Sequence, residues 1–433
     1  MPNAPIIYNL FPLLAGAIPR WPDHLDRIAA MGFNWIFVNP FHYPGFSGSL
    51  YAVKDYFAFH PLLVGENQDP EASLKNFVDQ ARQRGLAVMM DLVINHTAVD
   101  SPLVEQHPEW YAKNPDGSIK NPSCIDPADE TKVTVWGDLA EIEYWPPPDP
   151  EGLLAFWETV LRKYIQLGFR GFRCDAAYKI PGPFWARLID MARAINPEIY
   201  FLAETLGCRL EEMAQLAEAG FDYLFNSSKW WDFQEDWCLE QYESNRHIAP
   251  SISFPETHDT PRLAAEVKGA VEILQQRYLF AAFFSAGLMM PMGYEYGFRK
   301  RLNVVQTRPG DWEEPRGDLT GFISQVNQMK RNCSILLEEG PITRLTPPDE
   351  PIVMLLKSSD TYTGQVLAVI NTQRRARRYV LPDWPAVMGV SANNVQDLTP
   401  EARPLPWKSG QRITLEPAEI RLFYAPGTEA EKP

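Results

Sequence analysis

Short apolar runs recur along the chain up to about residue 340, and a longer stretch with helical spacing of apolar positions follows each one. Eight runs are strand candidates: Ile6–Leu10, Trp35–Val38, Ala87–Leu92, Gly171–Cys174, Ile199–Ala203, Tyr223–Phe225, Ser251–Phe254 and Leu288–Pro291. Helices are predicted between them, over 22–31, 72–84, 151–167, 183–195, 209–219 and 263–283. Nearly continuous apolar strands that alternate with helices indicate a parallel sheet covered on both faces. Eight such units predict an α/β fold of the closed (β/α)8 barrel type, with an open doubly wound sheet as the alternative.

Two stretches break this rhythm. Residues 97–149 form a segment rich in Pro, Asp and Trp that is too long for a plain connection, so we expect a subdomain inserted after the third strand. After about residue 340 the pattern changes to strand-like alternation, which predicts an antiparallel β-sandwich. The predicted domains are a barrel over 1–96 and 150–340, an insertion over 97–149, a sandwich over 341–427 and a flexible tail over 428–433.

Charge and composition narrow the classes of partner. The 433 residues carry a formal net charge of -15 and no basic stripe, which argues against a nucleic-acid partner. No apolar run is long enough to span a membrane, so no membrane partner is expected. The first residues lack the features of a secretory signal, and the five cysteines have no metal-type spacing. We therefore expect a cytoplasmic protein with reduced thiols, while the sequence leaves its oligomeric state open.

Polar residues lie at the carboxyl ends of four of the strand candidates or shortly after them. They are Asp91, Asn95 and His96 in DLVINH, Arg173 and Asp175 in GFRCD, Glu204 in FLAE, and His258 and Asp259 in ETHD. Since the carboxyl ends of all strands meet at one rim of a barrel, these side chains should converge there. A cap or turn role is the ordinary explanation for any one of them, but it explains the whole set poorly.

The residue types suit the cleavage of a glycosidic bond with retention. That reaction needs one ionised carboxylate as nucleophile and one carboxylic acid that protonates the leaving oxygen. A neighbouring carboxylate helps the acid to keep its proton near neutral pH, whereas an adjacent arginine keeps the nucleophile ionised. Arg173 precedes Asp175 by two residues, and residues at that spacing share one face of a strand.

The strings DLVINH, GFRCD, FLAE and ETHD, in this order, resemble the four signature regions of the α-amylase family, glycoside hydrolase family 13. The segment after the third strand is similar to the family's domain B, and the end of the chain to its domain C. The resemblance implies that Asp175 is the nucleophile, Glu204 the general acid/base and Asp259 the stabiliser of the transition state. It also implies that Arg173 orients the nucleophile.

The same resemblance implies further contacts with the sugar. Tyr51, in LYAVKDY, matches the tyrosine that stacks on the reacting sugar, and His96 and His258 match a pair that hydrogen-bonds it. Tyr178 and Lys179 stand where the family often has lysine and then histidine, and Lys179 is taken as a substrate contact. Because that histidine helps to hold calcium in many amylases, its replacement leads us to predict no metal; no cofactor is predicted either.

A narrower resemblance concerns one branch of the family. HPEWYAKNPDGSIKNP in the insertion and FNSSKWWDF after the sixth strand resemble stretches of maltosyltransferases that use maltose 1-phosphate. Trp230 and Trp231 are therefore assigned to substrate binding as acceptor-side platforms, with packing beneath the loop as the alternative. Against this branch, DLVINH is the amylase form of the first region, and the chain lacks the long N-terminal domains of those transferases.

Three functions remain in view. The first is a retaining α-glycosidase of α-amylase type, acting on α-1,4-linked glucans or maltooligosaccharides through a covalent glycosyl-enzyme. The second is an α-glucan glycosyltransferase that uses the same three carboxylates but passes the sugar to another sugar or to phosphate. The third is a barrel that has lost catalysis and serves in binding or assembly, although it would not need all three carboxylates. We favour the hydrolase, because the evidence for a transferase donor site is partial.

Overall fold

The structure is a computed structural model that describes residues 4–66, 69–126, 129–361, 364–383, 395–401, 405 and 408–426. In chain order, its strands are β1 (Ile6–Leu10), β2 (Trp35–Val38), β3 (His42–Pro44), β4 (Val53–Phe59), β5 (Ala87–Leu92), β6 (His96–Ala98), β7 (Ser123–Asp126), β8 (Asp129–Val135), β9 (Leu139–Glu141), β10 (Gly171–Cys174), β11 (Tyr200–Ala203), β12 (Tyr223–Phe225), β13 (Ser251–Ser253), β14 (Gly287–Pro291), β15 (Ile342–Arg344), β16 (Ile352–Ser358), β17 (Gln365–Asn371), β18 (Arg377–Val380), β19 (Gln396–Asp397), β20 (Arg412–Leu415) and β21 (Ile420–Ala425).

The α-helices of the described residues all precede the C-terminal sheets. They are α1 (Pro12–Ala15), α2 (Leu25–Ala30), α3 (Pro70–Gln83), α4 (Pro102–Gln106), α5 (Pro150–Gln166), α6 (Gly182–Ile195), α7 (Leu210–Ala214), α8 (Trp237–Asn245), α9 (Leu263–Glu266), α10 (Val271–Phe284) and α11 (Thr320–Asn332). No helix of the described residues is long and apolar enough to cross a membrane.

The closed barrel predicted from the sequence is confirmed. Its strands follow the order β1-β14-β13-β12-β11-β10-β5-β2, and neighbouring strands such as β1 and β2 or β5 and β10 are paired in parallel. Strands such as β1, β5 and β10 are buried almost throughout, which accounts for their nearly continuous apolar sequences. The open doubly wound alternative is therefore wrong.

Three predicted helices differ from the observed ones. The segment 22–31 begins as a 3-10 helix that contains Pro22, because proline cannot supply the N–H that the α-helical ladder needs. The segment 209–219 is helical only over α7. The segment 263–283 splits into α9 and α10, since Lys268 and Gly269 adopt positive φ angles of 56° and 81° that interrupt the helix.

The chain divides into two compact units, which are described separately below. The first unit comprises Ile7–Phe225 and Arg301–Glu313, and the second comprises the described residues of 1–6, 226–300 and 314–433. The second unit therefore combines the last barrel strands, β13 and β14, with the C-terminal sheets. The predicted domain bounds stay a prediction, and the predicted tail over 428–433 lies outside the described residues.

The C-terminal part of the second unit is antiparallel, as predicted. One sheet has the order β15-β16-β17-β21-β19, and the other consists of β18 and β20. Both sheets contribute side chains to one apolar core, which makes the pair a small sandwich. The buried members of this core are Ile352, Met354, Leu367, Val369, Leu381, Ile413, Leu415, Phe423 and Ala425.

Candidate active site

Backbone pairing in the first unit brings the ends of three barrel strands side by side. Strand β10 pairs in parallel with β5 on one side and with β11 on the other. This ladder continues beyond the strands, because Asp175 N donates to Leu92 O at 3.1 Å and Glu204 N donates to Cys174 O at 3.0 Å. Asp175 and Glu204, which directly follow β10 and β11, therefore leave the sheet from neighbouring positions.

A single buried guanidinium lies among three carboxylates. Arg173 Nη1 donates to Asp91 Oδ1 at 2.9 Å and to Asp175 Oδ1 at 2.8 Å, and its Nη2 lies 3.9 Å from Glu204 Oε2. Burial favours the neutral form of Arg173, but the surrounding anionic groups, Asp91 foremost, outweigh it and hold the pKa of Arg173 well above its ordinary value. Arg173 is therefore a permanent cation in contact with Asp175, and its predicted role in orienting the nucleophile stays a prediction.

Both oxygens of Asp175 are held by donors. Arg173 occupies Oδ1, and Asn95 Nδ2 donates to Oδ2 at 3.2 Å and to the backbone carbonyl of Asp175 at 2.8 Å. The side chain is 15% exposed, so a small ligand can still reach it. A carboxylate with a fixed direction and one open side can serve as a nucleophile, because the reacting atoms must be aligned before attack.

Glu204 occupies a different electrostatic environment. Its Oε1 accepts a hydrogen bond from Leu206 N at 2.6 Å, and its Oε2 accepts one from Ala176 N at 2.9 Å. Burial raises the pKa of Glu204 to about 7, with Asp175 adding to the rise and Arg173 opposing it. A carboxyl group that titrates near neutral pH can donate a proton in one step and accept one in the next.

The residue that follows Asp175 adopts an uncommon backbone conformation. Ala176 has a φ of 41° and a ψ of 49°, in the left-handed region that residues with a Cβ seldom adopt. This conformation accompanies the hydrogen bond from its N–H to Glu204. Such strain persists where the surroundings fix the backbone, and it is common next to functional groups.

A chain of hydrogen-bonded polar side chains ends at Asp91. Asn9 Nδ2 donates to Asn39 Oδ1 at 2.8 Å, Asn39 Nδ2 to Tyr51 Oη at 3.0 Å, and Tyr51 Oη to Asp91 Oδ2 at 2.6 Å. Burial raises the pKa of Asp91 to about 7, although Arg173 opposes that rise. Asn9 and Asn39 are not among the predicted site residues. The only sign of them in the sequence is a polar residue within or just after an apolar strand.

Three residues of the first unit are predicted to contact the substrate. The phenol of Tyr51 is fixed by Asp91, and the stacking role predicted for its ring stays a prediction. His96 is buried, with Nδ1 beside Asn95 Oδ1 and Nε2 3.1 Å from Tyr51 O, and burial lowers its pKa. Lys179 is exposed in the short helical turn that follows Asp175, and its contact with substrate also stays a prediction.

In the second unit, the loop after β13 carries His258 and Asp259. His258 is buried, whereas the side chain of Asp259 is 60% exposed, and His258 Nε2 lies 3.1 Å from Asp259 Oδ2. Within this loop, Asp259 N donates to Thr257 Oγ1 at 3.2 Å, and Thr257 N donates to Thr260 Oγ1 at 3.0 Å. The roles predicted for His258 and Asp259 stay predictions.

A buried ion pair that the sequence analysis missed anchors this loop. Arg262 Nη1 donates to Glu256 Oε1 at 2.8 Å, and both side chains are 1% exposed. Glu256 Oε2 also accepts from Leu263 N at 2.5 Å, while Arg262 Nη2 donates to Met292 O at 2.8 Å. The available signal was the opposite charges six residues apart, on either side of His258 and Asp259.

The two adjacent tryptophans of the second unit differ sharply. Trp231 is fully buried, packs against Phe233, Phe280 and Phe284, and donates its indole N–H to Glu235 O at 2.7 Å. A ring without an exposed face cannot stack on a sugar, so its assignment to substrate binding is wrong and the packing alternative holds. Trp230 is 50% exposed, and its platform role stays a prediction.

The absence of a metal and of a cofactor stays a prediction from the sequence. Among the described residues, no group of three or more His, Cys, Asp or Glu side chains is arranged to hold a metal ion. Asn95 uses its amide nitrogen to hold Asp175.

Comparison with known proteins shows which enzymes have sequences similar to this chain. A family model described as the glucanotransferase domain of glycogen debranching enzyme matches residues 3–115. The α-1,4-glucan:maltose-1-phosphate maltosyltransferase of Rhodospirillum rubrum is 31% identical over 413 residues, covering 87% of this chain and 57% of the relative. The enzyme of the same name from Burkholderia pseudomallei is 28% identical over 377 residues, covering 83% of this chain and 32% of the relative.

Solved structures agree with the fold. An α-amylase from Lactobacillus plantarum has a TM-score of 0.75 at 22% identity and covers 97% of this chain and 98% of its own. A trehalose-6-phosphate hydrolase from Bacillus licheniformis has a TM-score of 0.76 at 13% identity, with coverage of 98% and 99%. The resemblance to the α-amylase family is thus confirmed: the chain has the fold of these α-amylases, and its sequence is similar to α-1,4-glucan:maltose-1-phosphate maltosyltransferases.

The narrower resemblance to the maltosyltransferase branch is confirmed by the curated relatives, whose names specify that activity. However, the chain spans only about a third to a little over a half of the length of those two relatives. Their activities are therefore not transferred to this chain by the comparison alone.

Proposed function

We propose that this chain is a retaining α-glycosidase that acts on α-1,4-linked glucans or maltooligosaccharides through a covalent glycosyl-enzyme. The observation that carries the proposal is the pair of neighbouring carboxylates with different environments. Asp175 is ion-paired with Arg173, whereas burial raises the pKa of its neighbour Glu204 to about 7. Two carboxyl groups whose surroundings separate their protonation states are the basic requirement for glycoside hydrolysis.

In the first step, protonated Glu204 donates its proton to the glycosidic oxygen while Asp175 attacks the anomeric carbon. The bond from that carbon to the leaving oxygen breaks, and a bond to a carboxylate oxygen of Asp175 forms. Arg173 and Asn95 hold Asp175 in its direction of attack. The stabilisation of the developing positive charge by Asp259 is part of the proposal and is based on the family resemblance.

In the second step, ionised Glu204 accepts a proton from water, and the resulting oxygen nucleophile releases the sugar from Asp175. The pKa of Glu204 near 7 suits both directions of proton transfer. The attacking oxygen can belong to water or to a hydroxyl group of another sugar, since Glu204 can accept a proton from either. The competition is decided by how well an acceptor is bound and water excluded.

Transfer to a sugar is the second candidate function, and the curated relatives favour it. The two relatives compared above are both named for transfer from maltose 1-phosphate to an α-1,4-glucan. In this case a maltosyl group would pass from Asp175 to a glucan acceptor, with phosphate as the leaving group of the first step. Trp230, which is half exposed, is the proposed acceptor-side contact.

The proposed partner is accordingly a neutral glucan rather than a polyanion. The net charge of -15 supports this assignment, because it repels nucleic acid. We also propose a cytoplasmic location, on the basis of the sequence features described above.

The deciding experiment incubates the pure protein with maltoheptaose, with and without phosphate, and then with maltose 1-phosphate added, while NMR follows the products. Shorter α-maltooligosaccharides formed in buffer alone would establish the retaining hydrolase. Longer glucans, or a sugar phosphate formed only with phosphate present, would establish the transferase. Turnover that survives in Asp175→Ala would remove the assignment of Asp175 as the nucleophile. No turnover of any of these substrates by the wild-type protein would overturn both functions and favour a barrel that only binds its partner.

A further inference from the structure

An exposed aromatic side chain stands out in the insertion of the first unit. Trp145 is 59% exposed, although tryptophan is usually well buried because its large ring gains much from leaving water. The residue before it, Tyr144, is only 2% exposed and reaches back to Ile94 O through its hydroxyl at 2.8 Å. Trp145 is thus an exposed residue directly after an anchored one.

Hydrogen bonds fix the position of this ring. Trp145 Nε1 donates to Lys179 O at 3.1 Å, and its backbone N–H donates to Glu143 Oε1 at 2.7 Å. Lys179 ends the helical turn Ala177–Lys179, which begins two residues after Asp175. The indole is therefore attached to the same short segment that leads away from the nucleophile.

The chemistry of such a ring suits a carbohydrate. An indole whose N–H is already bonded presents an apolar face with little remaining need for a polar partner. The C–H face of a pyranose is apolar and flat, so it stacks on this kind of surface while its hydroxyl groups stay in water. Because the ring is held in place beforehand, binding loses little side-chain entropy.

We propose that Trp145 is a stacking platform for a sugar unit of the glucan other than the unit that reacts at Asp175. This inference depends on the proposed action on α-1,4-glucans. It assigns Trp145 to substrate binding and gives the enzyme a preference for chains long enough to reach from Asp175 to this ring. The hydrogen bond to Lys179 couples the position of the platform to the catalytic segment.

The first test is direct binding of maltoheptaose to the Glu204→Gln protein, with and without Trp145→Ala, by isothermal titration calorimetry. Loss of a stacked sugar face should weaken binding about tenfold. The Trp145→Phe protein keeps an apolar ring and should lose less than Trp145→Ala. Equal affinity in the presence and absence of Trp145 would overturn the inference.

The matched control is Trp136→Ala. Trp136 lies in the same insertion, is 41% exposed and donates its backbone N–H to Pro122 O rather than bonding to the segment after the nucleophile. We expect Trp136→Ala to bind maltoheptaose as the parent protein does. A loss equal to that of Trp145→Ala would indicate a general effect of the insertion and would contradict a specific platform.

A kinetic comparison separates this inference from the proposed function. The value of kcat/KM for maltoheptaose should fall about tenfold more in Trp145→Ala than the value for α-glucosyl fluoride, which carries a single sugar. No turnover of either substrate by the wild-type protein would overturn the proposed function, while the binding test would still decide the role of Trp145. If Trp145→Ala instead changes the molar mass measured by light scattering, the ring serves a contact between copies of the chain and the inference is wrong.

Discussion

Asp175 in the first unit and Asp259 in the second are assigned to the same reaction, yet their surroundings differ. Asp175 is 15% exposed and held by a buried cation, Arg173, whereas Asp259 is 60% exposed and sits in a loop. The fixed element of that loop is the backbone, which the buried pair of Glu256 and Arg262 anchors a few residues away. Asp175 is therefore held by a buried cation, whereas Asp259 lies in a loop beside the buried ring of His258.

The difference agrees with the roles proposed for the two groups. A nucleophile must approach one carbon atom along one direction, so fixing its oxygens directly is effective. A carboxylate that stabilises charge must be preorganised near the place where that charge develops. Burial also has a cost, since the carboxyl groups in the first cluster lose hydration and their charges must be compensated by Arg173.

The largest expected effect is that of Asp175→Ala. Removing the nucleophile should lower kcat/KM for maltoheptaose by about 10⁴-fold or more, because a catalytic group that acts as part of a unit cannot be replaced by its neighbours. Intact-mass spectrometry of Glu204→Gln treated with α-glucosyl fluoride should show a glycosyl adduct that the double variant with Asp175→Ala lacks. An adduct on the double variant would assign the nucleophile to another residue.

Asp259→Asn should lower kcat/KM by about 10²- to 10³-fold, as is typical for the loss of one stabilising group. Its effect on the free energy of unfolding should be within about 0.5 kcal/mol, since the side chain is mostly exposed. Urea unfolding measured beside the kinetics checks both parts. A large loss of stability would show that Asp259 is a structural residue and would weaken the contrast with Asp175.

Glu256→Gln should act mainly on stability. It leaves Arg262 buried without its counter-charge, which typically costs about 3 to 5 kcal/mol. Replacing both partners, in Glu256→Gln with Arg262→Met, should recover part of that loss because no unpaired charge remains. If the single variant is as stable as the parent protein in urea, the pair does not anchor the loop.

The smallest expected effect concerns pH. Because the pKa of Glu204 is raised to about 7 and its protonated form is the acid, kcat/KM for maltoheptaose should fall about tenfold per pH unit above about 7. The fluoride of α-glucosyl fluoride leaves without a proton, so this substrate should show no such fall for the same protein. A parallel fall for both substrates would assign the titration to another group, for which Asp91 is the nearest candidate.

Periodicity predicted the barrel well, because strands buried on both faces must be apolar and must be short. The eight strand candidates match β1, β2, β5, β10, β11, β12, β13 and β14, with shifts of one residue at three of them. Helix ends were predicted less well where a backbone conformation decides them, as at Lys268 and Gly269. Nothing in the apolar pattern reveals a positive φ.

The order of residues is enough to predict the alternation of strands and helices and the positions of Asp175 and Glu204 just after two of those strands. Their surroundings are visible only in the folded chain: Arg173 among three carboxylates, and the chain of polar groups from Asn9 to Asp91. The tertiary structure also decides that Trp231 is buried while Trp230 is not. The physical reason is that strand periodicity is a local property of the chain, whereas burial and charge compensation depend on residues distant in sequence that folding brings together.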